Sequence, residues 1–185
     1  MGLVIFLLVV VALVALAVLT YNRLVGLTQR SAEAWSDVDV QLKRRTDLVP
    51  NLVETVKGYA GHERATFDAV VRARGAAIGA QTPEARGRAE GQLSDALRQL
   101  FAVAESYPEL KASDNFQALQ QSLAHIEDDV QSARRYYNAV VRDLNTAIDS
   151  FPSNQIASFF RFAKRGYFEL DRPEDRQVPR VSFGS

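Results

Sequence analysis

The sequence predicts an all-α protein in which an N-terminal transmembrane helix continues into an antiparallel, up-and-down four-helix bundle. Three observations predict it. No residue from Met1 to Asn22 is charged, and Leu3 to Leu19 consists only of Val, Leu, Ile, Phe and Ala. Beyond that run, apolar residues recur at spacings of three and four, Ala, Glu, Gln and Arg are abundant, and alternation is nowhere sustained. Short interruptions bearing Pro or Gly separate the periodic segments, as in a bundle with tight connections.

The first element is the anchor, residues 1–20. About twenty residues rising about 1.5 Å each cross the ~30 Å hydrocarbon core. A cleaved signal peptide is the competing reading, because Ala15-Leu16-Ala17 resembles a cleavage site. Two features favour a retained anchor: no Lys or Arg precedes the apolar run, and the run exceeds the usual ~7–15 residues of a signal peptide's apolar region. Arg23 and Arg30 follow the span. The positive-inside rule therefore sets the N-terminus outside and the C-terminal part in the cytoplasm.

Residues 21–152 form the expected bundle. The first segment, about Tyr21 to Thr46, carries Leu24, Leu27, Ala34, Trp35, Val38 and Leu42 on one face and continues the membrane helix. A corner is expected next, because Pro50 suits a first helical turn and Asp47 suits an N-cap. The second helix then runs from Asp47 or Leu48 to between Gly75 and Gly79, burying Val49, Leu52, Val53, Val56, Tyr59, Ala60, Phe67, Val70 and Val71. Thr82-Pro83 opens a third helix, ending near Ser106 before Tyr107-Pro108, with Leu93, Leu97, Leu100 and Phe101 inward. Ser113 or Asp114 caps the fourth. Its residues Phe116, Leu119, Leu123, Ile126, Val130, Ala133, Tyr137, Val140 and Leu144 form a heptad seam. Phe151-Pro152 closes it. An intermolecular coiled coil would also satisfy that seam, but three other amphipathic helices in the chain satisfy it internally.

The last segments are 153–170 and a flexible tail, 171–185. In the former, Phe159, Phe160, Phe162, Tyr167 and Phe168 are interleaved with Arg161, Lys164 and Arg165. Counting helices returns the chain to the bilayer near Phe151. Aromatic and basic residues there suit either the membrane interface or a cap over the open end of the bundle.

Composition excludes several kinds of chemistry. The 22 basic and 22 acidic residues balance, so no global charge draws the chain to nucleic acid. With no cysteine there is no disulfide, thiol nucleophile, Cys-ligated zinc or cysteine-linked lipid. His62-Glu63 begins like a zincin motif, but Thr66 stands where the second histidine belongs. His125 is the other histidine, and no E-x-x-H pair or glycine-rich phosphate loop occurs. Both histidines are expected on solvent faces. Lys43-Arg44-Arg45 lies about 35 Å along the helix from Thr20, several Debye lengths from lipid. It is expected to complement a helix C-terminus, with Asp39 and Lys43 paired at i,i+4. No catalytic, cofactor-binding or metal-ligating residue is assigned.

Four blocks carry a resemblance: "AWSDVDVQLKRRTDLVPNLVETVKGYAGHE", "LFAVAESYPELKASDNFQALQ", "ARRYYNAVVRDLN" and "FPSNQIASFF…YFE". In order and spacing, from about Tyr21 to Glu169, they resemble the LemA family of bacterial membrane proteins. The resemblance implies an N-terminal membrane segment and a helical-bundle domain, without an established activity or catalytic residues. It also implies an envelope setting, since relatives include a protein of magnetosome membranes and others are encoded near membrane proteases. Thr46 stands where many relatives have histidine. Arg161 replaces a glycine common in its block, which puts a tight backbone feature there in question. The lipoprotein cysteine of some relatives is absent.

The expected function is a single-pass scaffold or adaptor in the bacterial cytoplasmic membrane, without enzymatic activity. Its expected partners are the bilayer and an envelope membrane protein or protease. The alternative is an envelope hydrolase or metal-dependent enzyme built on the bundle.

Overall fold

A computed structural model of the chain describes residues 1–169. Six helices occur among the described residues, in the order α1 (Gly2–Lys57), α2 (Arg64–Gly79), α3 (Pro83–Ala104), α4 (Pro108–Lys111), α5 (Asp114–Asp149) and α6 (Ser153–Phe159), with no strand. The fold is all-α, and its N-terminal helix is long and apolar enough to cross a membrane. The tail expected over 171–185 lies outside the described residues.

The chain divides into two compact units, and α1 and α5 each contribute to both. In the first unit (1–42 and 127–167), α1 and α5 run antiparallel: Trp35 meets Tyr137 at 5.3 Å, and Leu24 packs with Ala147 and Ala157. The stripe expected on α1 is inward here, with Leu24, Ala34, Val38 and Leu42 buried. In the second unit (among the described residues, 43–126 and 168–169), Val49 to Val56 of α1 pack with Phe67 and Val70 of α2, Leu93 to Leu100 of α3, Leu110 of α4, and Phe116 and Leu123 of α5. Thr82 caps α3, its hydroxyl accepting from the Ala85 amide at 3.2 Å with Pro83 in the first turn.

The corner expected at Asp47 is displaced by about three turns. Helix α1 runs through Pro50 to Lys57, and the chain turns over residues 58–63. Interior proline costs about 3 kcal/mol or more. Burying a Val or Leu side chain gains about 1.5–3 kcal/mol. Val49, Leu52, Val53 and Val56 continue the phase of Leu42 without a slip, and all four are buried. Their sum outweighs the proline. The carbonyl that Pro50 cannot serve, that of Thr46, accepts instead from Arg74 Nε of α2 at 2.7 Å. Arg74→Ala should therefore cost about 1–3 kcal/mol by stranding a buried acceptor. In a Pro50→Ala background it should cost less, because residue 50 then supplies the amide. Urea unfolding of the full chain in mild detergent measures this cycle, and equal costs in both backgrounds would contradict the pairing.

Helix α6 ends in a Schellman motif. The Phe162 amide donates to the Ala157 carbonyl at 2.9 Å and the Arg161 amide to that of Ser158 at 3.2 Å. Arg161 accordingly has φ 58°, the left-handed conformation that glycine adopts freely. The tight feature persists although arginine occupies it. Left-handed geometry costs an L-residue about 1–2 kcal/mol, and the greater freedom of unfolded glycine returns about 0.5–1 kcal/mol. Arg161→Gly should thus stabilise by about 0.5–1 kcal/mol, read as a raised Tm of the full chain in detergent.

Candidate functional site

The second unit contains a buried charge cluster. Arg45 of α1 lies in phase with Leu42 and Val49, so the apolar stripe carries it inward. On α3, Arg86 and Glu90 lie in phase with Leu93 and Leu97 and are also buried. Arg45 Nη1 donates to Glu90 Oε2 at 3.2 Å, and Arg86 Nε stands 3.3 Å from Glu90 Oε1. The Ser94 hydroxyl accepts from Arg45 Nη2 at 2.8 Å and donates to the Glu90 carbonyl at 3.0 Å. Over the same stretch of α3 passes the backbone of Glu169: a Cβ on Gly87 would collide with the Glu169 carbonyl. Glycine is required there by close approach.

Burial pushes the Glu90 carboxyl above its ordinary 4.5, while the Arg45 and Arg86 guanidiniums pull the other way. Its side chain is 0 % exposed. A carboxylate without solvent access, between two guanidiniums, is not positioned to exchange a proton with a substrate. The arrangement suits a pin that holds α1 and α3 in one register.

An aromatic cluster occupies the first unit where α1 passes out of its apolar run. Tyr21 lies 4.7 Å from Phe160 and 5.7 Å from Phe162, and Phe159 lies 5.0 Å from Phe160. Phe151 is 82 % exposed and Phe159 79 %. The chain after α6 is held on α5: Asn145 donates to the Arg165 carbonyl at 2.9 Å and accepts from its amide at 3.0 Å. The Tyr137 hydroxyl donates to the Gly166 carbonyl at 2.9 Å.

The residues singled out in the sequence fare differently. His62 and His125 are both exposed, one in the α1–α2 connection and one on α5. No group of three His, Asp or Glu side chains able to hold a metal forms among the described residues. The basic run 43–45 does not complement a helix end, because α1 continues for twelve residues beyond Arg45. Lys43 and Arg44 are exposed and Arg45 is buried. The five aromatics of the 153–170 segment also divide: Phe168 is fully buried in the second unit, whereas Phe159, Phe160 and Tyr167 are exposed in the first. Sequence reasoning missed Arg86 and Glu90, although their spacing from Leu93 and Leu97 matches the inward face of α3.

Comparison with known proteins adds two findings. Magnetosome proteins MamQ 1 and MamQ 2 of Paramagnetospirillum magneticum are each 27 % identical over 186 residues, covering 86 % of this chain and 68 % of the relative. Magnetosome protein MamQ of Magnetospirillum gryphiswaldense is 26 % identical over 184 residues, covering 85 % and 68 %. The family model described as LemA family matches residues 34–183, a span that takes in the buried cluster, the heptad seam and the aromatic segment, and the chain belongs to that family.

Proposed function

We propose that this protein is a single-pass, membrane-anchored helical scaffold or adaptor of the bacterial cell envelope, acting through contacts with lipid and with another envelope protein. The observation that carries this reading is the aromatic cluster around Tyr21, with Phe151 and Phe159 exposed beside the end of the apolar run. Aromatic rings in contact with both apolar and aqueous surroundings suit the bilayer interface. They would seat the first unit against the membrane that residues 1–20 cross. The relatives named as magnetosome proteins support a membrane-related role at the level of the family. Arg23 and Arg30 favour the cytoplasmic membrane with the N-terminus outside.

The absence of cysteine allows a direct test. Gly2→Cys and Gln121→Cys, each in the full chain, are exposed in intact cells to a membrane-impermeant maleimide. Residue 2 is expected to label in intact cells and residue 121 only after lysis, with both proteins in the membrane fraction. Loss of residue 2 from the mature protein, or labelling of residue 121 from outside, would overturn the reading. Metal analysis addresses the enzymatic alternative: stoichiometric metal lost on replacing His62 and His125 together would favour it over scaffolding.

A further inference from the structure

The first unit contains a cleft of about 770 Å³ between α1 and the C-terminal end of α5. Leu16 of the membrane-spanning run, Leu24 and Leu27 are in its wall. Arg23 and Arg30 line it from α1, and Arg142 from α5. Asp143 is the acidic residue in the lining, 3.9 Å from Arg142 with both side chains mostly exposed. The cationic groups therefore outnumber the acidic one three to one in the lining. Thr20 and Thr146 also line it, as do Ser150 and Ser153, whose hydroxyls donate to the Thr146 and Ala147 carbonyls at 2.7 and 2.6 Å. Gly26, between the two arginines of α1, leaves open space where a side chain would stand.

We infer that this cleft seats the headgroup of an anionic phospholipid, with the phosphate among Arg23, Arg30 and Arg142 and an acyl chain leading out past Leu16. The chemistry it recognises is a phosphate ester, which arginine binds through paired N–H donors. Lipid is favoured over a soluble phosphate because Leu16, from the apolar run, lines the same cleft as the three arginines. In the anchored reading Leu16 belongs to the stretch that spans the bilayer, so an acyl chain leaving the cleft at Leu16 enters hydrocarbon directly. The leaflet that would face this cleft, with the domain in the cytoplasm, is the one with negative surface potential. Exposed arginines beside a membrane attract anionic lipid diffusely. A cleft adds geometry, and geometry is what the test reads.

This inference rests on the membrane-anchored reading. The full chain is reconstituted in nanodiscs of equal phosphatidylglycerol and phosphatidylcholine, and lipid retained on the released protein is counted by native mass spectrometry. Phosphatidylglycerol should be retained about tenfold over phosphatidylcholine. Combined Arg23→Gln, Arg30→Gln and Arg142→Gln should abolish the preference. Gly26→Leu, which keeps every charge and fills the space, should abolish it too. Competition by glycerol 3-phosphate at the same concentration as the lipid would show a soluble phosphate site and overturn the lipid assignment. Preference unchanged in Gly26→Leu would reduce the cleft to diffuse attraction and likewise overturn it. A chain that stays in the nanodisc without any preference refutes the cleft alone. One that leaves the nanodisc refutes the anchored reading beneath it.

Discussion

Replacing Glu90 by alanine is expected to destabilise the protein by about 3–5 kcal/mol, the range for removing one partner of a buried ion pair. The carboxylate itself gains little from its position, since burial raises its pKa despite two guanidiniums. Its removal is costly for a different reason. Arg45 and Arg86 cannot shed their protons, so two buried cations would lose the carboxylate between them. Glu90→Gln separates charge from shape and gives the pH dependence its sign. A carboxyl with a raised folded pKa contributes most below its unfolded value, near 4.5, and loses that contribution as pH rises through the folded value. The stability of the native chain relative to Glu90→Gln should therefore be flat in acid and fall as pH increases above about 4.5. Urea unfolding in detergent at a series of pH values reads both effects. A loss near zero for Glu90→Ala would mean that the cluster is solvated in solution.

Leu93→Ala should cost about 2–5 kcal/mol, because the side chain is fully buried among α1, α2 and α3 and the cavity cannot collapse on all sides. Leu119→Ala on α5 should cost less. Leu119 belongs to the regular heptad seam, yet it is only partly buried at the edge of the same core. Periodicity alone would assign the two leucines equal weight. The same unfolding experiment ranks them, and equal costs would mean that the seam is packed evenly along its length.

These two residues show where sequence reading succeeds and where it stops. The apolar phase from Leu24 to Leu42, the start of α3 at Thr82-Pro83 and the α5 seam were legible because helical burial repeats every three to four residues. The position of the first corner was not. Pro50 and Asp47 carry local signals for a helix start, and those signals describe the chain without partners. The partners of this stretch are Arg74, which serves the Thr46 carbonyl, and the core that receives Val49 to Val56. Arg45, Arg86 and Glu90 were hidden for a related reason. Charged residues are assigned to solvent by default, and only the meeting of α1 with α3 brings their charges together inside.

What the sequence by itself determined is the class of the protein: an apolar N-terminal helix long enough to span a membrane, amphipathic helices after it, and no motif for cysteine, zincin or phosphate-loop chemistry. Those are properties of composition and period, which need no third dimension. Only the tertiary structure decided that α1 passes through its proline, that a carboxylate is buried between two arginines, and that Phe168 is buried while Phe159 stays exposed. Each depends on atoms far apart in the chain, and a local pattern contains no term for what distant residues supply.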